Sequence, residues 1–145
     1  MTINSKMRHE LIGNENIYKY ITGGRGVVTL SSSSGVHHTY SFTTPSFAKE
    51  GEDTLFVSTL VDNNTWVYVG MYKNKSFRLT QKSAYPITSP IVKGVCFILK
   101  LMLKPGFYDE RMHLFHEGIC SRCGRPLTNP DSIELGIGPV CRGLI

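Results

Sequence analysis

The sequence predicts an α+β fold. It reads as an antiparallel sheet of about five strands covered by one long helix, followed by a small cysteine-rich C-terminal module. Three observations point there. Short β-branched and alternating runs recur between residues 27 and 80, separated by turn residues. One apolar segment with helical spacing follows Ser89-Pro90. Three of the four cysteines, Cys120, Cys123 and Cys141, crowd into the end of the chain.

The elements follow in order. Glu15 to Ile21 has Ile17, Tyr18 and Ile21 on one side of a short helix, which Gly23-Gly24 ends. Val27 to Leu30 is a β-branched strand, and Ser31 to Ser34 with Gly35 is a turn. Val36, His38, Tyr40 and Phe42 then alternate with His37, Thr39 and Ser41, the period of a half-buried strand. That alternation sends His37 and His38 to opposite faces, so the pair is not a shared metal site. Pro45 to Asp53 is a polar loop. Leu55 to Val61 and Thr65 to Tyr72 form a hairpin about Asp62-Asn63-Asn64. Lys73-Asn74-Lys75 is a second tight turn, leading to a shorter strand from Ser76 to Thr80.

Ser89 then caps a helix with Pro90 in its first turn, and Pro105-Gly106 stops it after about Lys104. Ile91, Val95, Ile98 and Met102 share the side that covers the sheet. Lys93, Phe97, Lys100 and Lys104 share the other. Cys96, inside this run, is expected to be a buried thiol acting as a small hydrophobe. Tyr108 to Phe115 is expected to be a short helix leading into the C-terminal module. The expected division is a basic sheet-helix domain over 1–108 and the module over 109–145.

Composition sets the outer limits. The chain has 145 residues, 41% hydrophobic and 19% charged, which is a folded globular balance. The longest apolar stretch, Val95 to Leu99, ends at Lys100 and cannot span a bilayer. Met1 to Asn16 is polar and lacks the apolar centre of a secretory signal, so a cytoplasmic protein with reduced thiols is expected.

Clustered cysteines in a reducing compartment suggest a metal. Cys120-Ser-Arg-Cys123-Gly-Arg reads as a zinc knuckle in which two thiolates reach one ion from a tight turn. Cys141 is the third ligand. The fourth is His116, in the spacing His-x3-Cys-x2-Cys-x17-Cys, with His113 and then Glu117 as alternatives. A Cys3His set leaves no open coordination position, so one structural zinc ion is expected. A redox Cys-x-x-Cys needs a thioredoxin-like strand-to-helix setting that this segment lacks. Asn129 caps a short helix over about 130–135 that begins with Pro130 and stops at Gly136, bridging the knuckle to Cys141.

The stretch His116-Glu-Gly-Ile-Cys120-Ser-Arg-Cys123-Gly-Arg-Pro-Leu-Thr128, with Pro130-Asp-Ser-Ile133 and Gly136-Ile-Gly138-Pro139-Val-Cys141, resembles a zinc-binding family common in phage and prophage proteins. That family has no assigned general function. The likeness covers about 30 residues. It extends more loosely upstream through Asp62-Asn63-Asn64 and Phe77-Arg78-Leu79-Thr80. The resemblance implies zinc, a phage origin with a host cytoplasm as its setting, and a small accessory protein. It implies no catalytic residues.

Charge is unevenly placed. From Asn63 to Tyr108 there is no Asp or Glu, while Lys73, Lys75, Arg78, Lys82, Lys93, Lys100 and Lys104 all fall there. The formal net charge is +5. Such a run attracts polyanions: DNA, RNA, or an acidic face of another protein. Trp66, Tyr68 and Tyr72 alternate along one strand and are expected to share a face. They are either core aromatics under the helix or rings available for stacking on bases.

No nucleophile elbow, phosphate loop or paired-carboxylate signature is present, and His116-Glu117 does not match the His-x-Glu of zinc deaminases. The protein is expected not to be an enzyme; a zinc-scaffold nuclease with His113 as base is the weaker alternative. The leading expectation is a binder that blocks a host protein or nucleoprotein complex, an anti-defence inhibitor of the anti-CRISPR type acting on a CRISPR effector. The other is a nucleic-acid-binding protein. Trp66, Lys73, Lys75, Arg78 and Lys82 are the candidate contact residues for either, and no membrane partner is expected.

Overall fold

The computed structural model describes residues 9–47, 53–62 and 65–116. In chain order the elements are β1 (His9–Glu10), α1 (Asn14–Ile21), β2 (Arg25–Ser32), β3 (His37–Thr43), β4 (Thr54–Leu60), β5 (Trp66–Lys73), β6 (Ser76–Arg78), α2 (Pro90–Leu103) and β7 (Met112–His116). The seven strands form one antiparallel sheet in the order β1-β7-β2-β3-β4-β5-β6. Both helices pack on the same face of it. The fold is α+β as expected, with two more strands than the sequence suggested.

Strand β7 corrects the expected helix over Tyr108 to Phe115. Asp109 opens the segment with a tight turn: its Oδ1 accepts from the Arg111 N–H at 3.0 Å, and its carbonyl accepts from Met112 N–H at 3.0 Å. Met-His-Leu-Phe-His then runs between β1 and β2, hydrogen-bonding to both. A five-residue segment is too short to carry a decisive period, so the open edge of β2 decides its conformation. The sheet therefore continues past the expected division at 108/109, and residues 112–116 belong to it.

The helix-covered face holds the core. Register places Val28, Leu30, Tyr40, Phe42, Val57, Leu55, Tyr72 and Leu114 on it, and all are buried. Helix α2 begins as expected: Ser89 Oγ accepts from Ile91 N–H at 3.1 Å and Pro90 occupies the first turn. It contributes Val92, Val95, Ile98, Leu99, Leu101 and Met102, a wider buried stripe than four residues at strict spacing. Ile91 is only half-buried, and Cys96 is exposed on the outer side, so the expected buried thiol is corrected. Its neighbours in the apolar run are not all core, because the helix has one sheet-facing side only.

Two contacts set how closely α2 approaches. Gly94 lies against the Tyr40 hydroxyl, which donates to the Ile91 carbonyl at 2.8 Å. Asn14, at the start of α1, donates to the Leu101 carbonyl and accepts from Gly106 N–H at 3.0 Å, tying the two helices end to end. No helix among the described residues is long and apolar enough to cross a membrane.

Candidate functional site

The helices leave the second face of the sheet uncovered by any described helix. What stands on it is set by one irregularity. Ser58 pairs with Tyr68 and Val57 with Gly70, so Val69 is an extra residue in β5. Such a bulge reverses the alternation beyond it. Trp66 and Tyr68 consequently lie on the open face, while Tyr72 turns under the helices and is fully buried. The expectation that all three aromatics share a face is thereby corrected. Tyr72 is a core aromatic under the helices, whereas Trp66 is 44% exposed.

Register builds the rest of this face in rows. Thr43, Phe56, Met71 and Arg78 lie side by side across β3 to β6. Val27, Ser41, Ser58 and Tyr68 form the next row across β2 to β5. Phe56 meets Tyr68 edge-on at 5.8 Å between ring centroids, and exposed Phe47 meets Phe56 at 5.6 Å. Towards β7 the face becomes hydroxylic: Thr29 and Thr39 share a 2.8 Å hydrogen bond. It ends in His113, whose Nδ1 is 2.7 Å from Glu10 Oε2.

The electrostatics are one-sided. Strands β2 to β6 contain no Asp or Glu. Glu10, the acid on β1, is engaged by His113. At the other end Lys73 and Arg78 stand on the open face by register, and Lys75 sits at the tip of the β5–β6 turn. Asn74 and Lys75 both adopt left-handed backbone, φ 50° and 67°, which makes this a tight two-residue hairpin. Lys82 is exposed in the loop that follows, where its N–H donates to Thr80 Oγ1 at 3.3 Å. Thr80 Oγ1 in turn donates to the Tyr68 hydroxyl at 3.3 Å.

The acid-free run of the sequence is thus divided by the fold. Lys73, Lys75, Arg78 and Lys82 fall at the β5–β6 end of the sheet, on the two strands, their turn and the loop that follows. Lys93 and Lys100 are exposed on α2 and Lys104 at its C-cap, across the sheet from them. Phe47, Phe56 and Met71 belong to the face although sequence reasoning did not single them out. The alternation of β4 carried a signal for Phe56; only the ring contact identifies Phe47.

Of the candidate zinc ligands, His116 and His113 are described, while Cys120, Cys123, Cys141, Glu117 and the expected helix over about 130–135 lie outside the described residues. His116 ends β7 on the helix-covered face, fully buried, its ring stacked on Tyr20 at 5.3 Å. Tyr20 in turn exchanges hydrogen bonds with Val27: its hydroxyl donates to the carbonyl at 2.9 Å and accepts from the N–H at 3.2 Å. His113 lies three residues earlier on a strand, so it faces the opposite side. One helical turn does not relate the two histidines, and one ion position does not suit both. His116 is thus buried, whereas His113 is partly exposed and paired with Glu10. Among the described residues no group of three His, Cys, Asp or Glu side chains is placed to hold a metal.

A cavity of about 240 Å³ between α1, the end of α2 and β7 is lined by Leu11, Ile17, Leu101, Phe107 and Leu114, with Glu10 and Asp109 at its margin. It presents no nucleophile with a base beside it. The C-terminal residues 112–145 match DUF6011, a family of unknown function. No curated protein and no solved structure matches the chain. The similarity begins at the first residue of β7, so it spans the strand carrying His113 and His116 together with the cysteine segment.

Proposed function

We propose that this protein is a non-catalytic binder that grips a polyanion-bearing macromolecule with the open sheet face. The observation carrying this reading is the composition of that face: five adjoining strands without an acidic residue, with exposed Trp66 and Phe47 and half-buried Phe56 and Tyr68 on the same side as Lys73 and Arg78. Apolar side chains exposed beside a cationic border are the expected make-up of a surface that binds nucleic acid or another polyanion. The likeness of the C-terminal pattern to phage and prophage proteins supports a host nucleoprotein complex, of which a CRISPR effector is one kind, as the partner that is blocked. His116, Cys120, Cys123 and Cys141 would hold one structural zinc ion, tying the tail to the end of β7. The ion would supply no chemistry beyond that link.

The test is binding of the full-length protein to heparin and to fluorescent DNA and RNA at low and near-physiological salt. The expected result is binding that weakens steeply with salt and is lost in Lys73→Glu/Arg78→Glu, while Lys93→Glu/Lys100→Glu on the far side retains it. No binding to any of these polyanions at low salt, or equal binding by both variants, overturns the reading.

A further inference from the structure

Resting on that reading, we infer that the ligand class of the open face is single-stranded nucleic acid, held by stacking on the aromatic row with its phosphates along the β5–β6 edge. The geometry of the face selects against a duplex. A duplex presents its grooves, and the major groove admits a helix or a two-stranded ribbon; the broad face of a seven-stranded sheet fits neither groove. The faces of paired bases are also hidden in the stack, so aromatic rings on a flat surface meet bases only when these are unpaired.

Spacing points the same way. Trp66 and Tyr68 are successive same-face positions on β5, which repeat at about 6.8 Å, roughly twice the ~3.4 Å rise of a stacked strand. Rings so spaced suit bases drawn apart along an extended strand. Phe56 stands one strand over and is held edge-on between Phe47 and Tyr68, so its ring is pre-set and orders little on binding. Lys73 and Arg78 flank Met71 on the same face, giving a cationic border beside the rings. The hydroxyls of Ser58 and Ser41 continue the Tyr68 row inward as hydrogen-bonding groups for sugar and phosphate. Charge complementarity commits the occupant: no acid on β2 to β6 opposes a phosphate chain, whereas an acidic peptide would leave the stacking rings without a counterpart.

The chain carries its own probe, because Trp66 is its single tryptophan. The experiment measures Trp66 fluorescence and affinity for four ligands of equal length: single-stranded DNA, single-stranded RNA, the DNA duplex, and an abasic strand that keeps the phosphates without the bases. The expected result is quenching and tightest binding by a single strand, with little quenching by the abasic strand. Trp66→Ala should weaken single-strand binding by about tenfold to a hundredfold, and abasic-strand binding by less than about twofold. The variant's thermal midpoint is read alongside, and the wild-type quenching stands independently of it. Preference between DNA and RNA identifies the source. Equal affinity for abasic and normal strands without quenching overturns stacking but leaves the polyanion reading intact. Absence of binding to every strand and to heparin removes both.

Discussion

Trp66 and Tyr72, six residues apart on one strand, face opposite sides of the sheet: the first is 44% exposed and the second fully buried. Regular alternation would have put them together. The extra residue at Val69 separates them, and with them the core from the open face. A single inserted position thus fixes which aromatics support the fold and which stand on the open face.

The close approach of α2 to the sheet depends on Gly94. A methyl group there would collide with the Tyr40 hydroxyl, which is already held by the Ile91 carbonyl at 2.8 Å. Gly94→Ala should destabilise the protein by about 1–2 kcal/mol, overpacking outweighing the helix preference of alanine. In a Tyr40→Phe background, where the hydroxyl is gone, the same change should cost much less. A double-mutant cycle by denaturant unfolding measures this coupling, and purely additive effects would contradict it.

Gly70 is the corresponding position on the other flank. A Cβ atom there would lie 2.5 Å from the Phe77 ring and 2.8 Å from the Arg78 carbonyl. The ring can rotate, but the carbonyl belongs to β6 and moves only if that short strand shifts. Gly70→Ala should therefore cost about 1–3 kcal/mol and also weaken polyanion binding, since β6 carries Arg78. Thermal denaturation and salt-dependent binding on the same sample check both halves. Unchanged binding at lowered stability would show that Arg78 is not part of the contact.

Alkaline pH probes the buried tyrosines. Burial, then Asp53, raises Tyr72 well above the ordinary tyrosine range; its hydroxyl donates to Asp53 Oδ2 at 2.7 Å. Burial also raises Tyr40, with smaller contributions from Cys96 and Tyr85, and raises Tyr18, again with Asp53 contributing. The folded state holds these protons more tightly than the unfolded chain does. The resulting stability is fully present below the unfolded value of about 10 and is lost as pH rises through the folded values. Absorbance at the tyrosinate band should show late ionisation coupled to unfolding. Tyr72→Phe should be less sensitive to pH above about 10, and a profile identical to wild type would count against the Asp53 contact.

Zinc is tested by composition and stability together. The purified protein should carry about one zinc ion per chain, and a strong chelator should lower its thermal midpoint. Cys123→Ser and His116→Ala should lose the metal and lower the midpoint by about 10 °C, the shift that about 3 kcal/mol produces in a domain of this size. His113→Ala should keep it. Metal-free wild-type protein of undiminished stability would sink the ligand set.

Much of the sheet was legible because its determinants are local. The alternation from His37 to Phe42, the turn residues at Lys73-Asn74-Lys75 and the Ser89-Pro90 start each act within a few residues of themselves. The structure returns β3, the β5–β6 hairpin and α2 at those places. The cationic members of the candidate face were legible too, since a run without acids is a property of composition. Met112 to His116 was not: its five residues suit helix or strand, and only the unpaired edges of β1 and β2 select the strand.

What the sequence determined alone was therefore the class of fold, the order of most elements and the sign of the charge. What the tertiary structure decided was sidedness. Tyr72 went inward and Trp66 outward, Lys93 went to one side of the molecule and Lys73 to the other, and His116 parted from His113. The physical reason is that a side chain's face depends on cross-strand register, and a strand's register is set by partners far away in the chain.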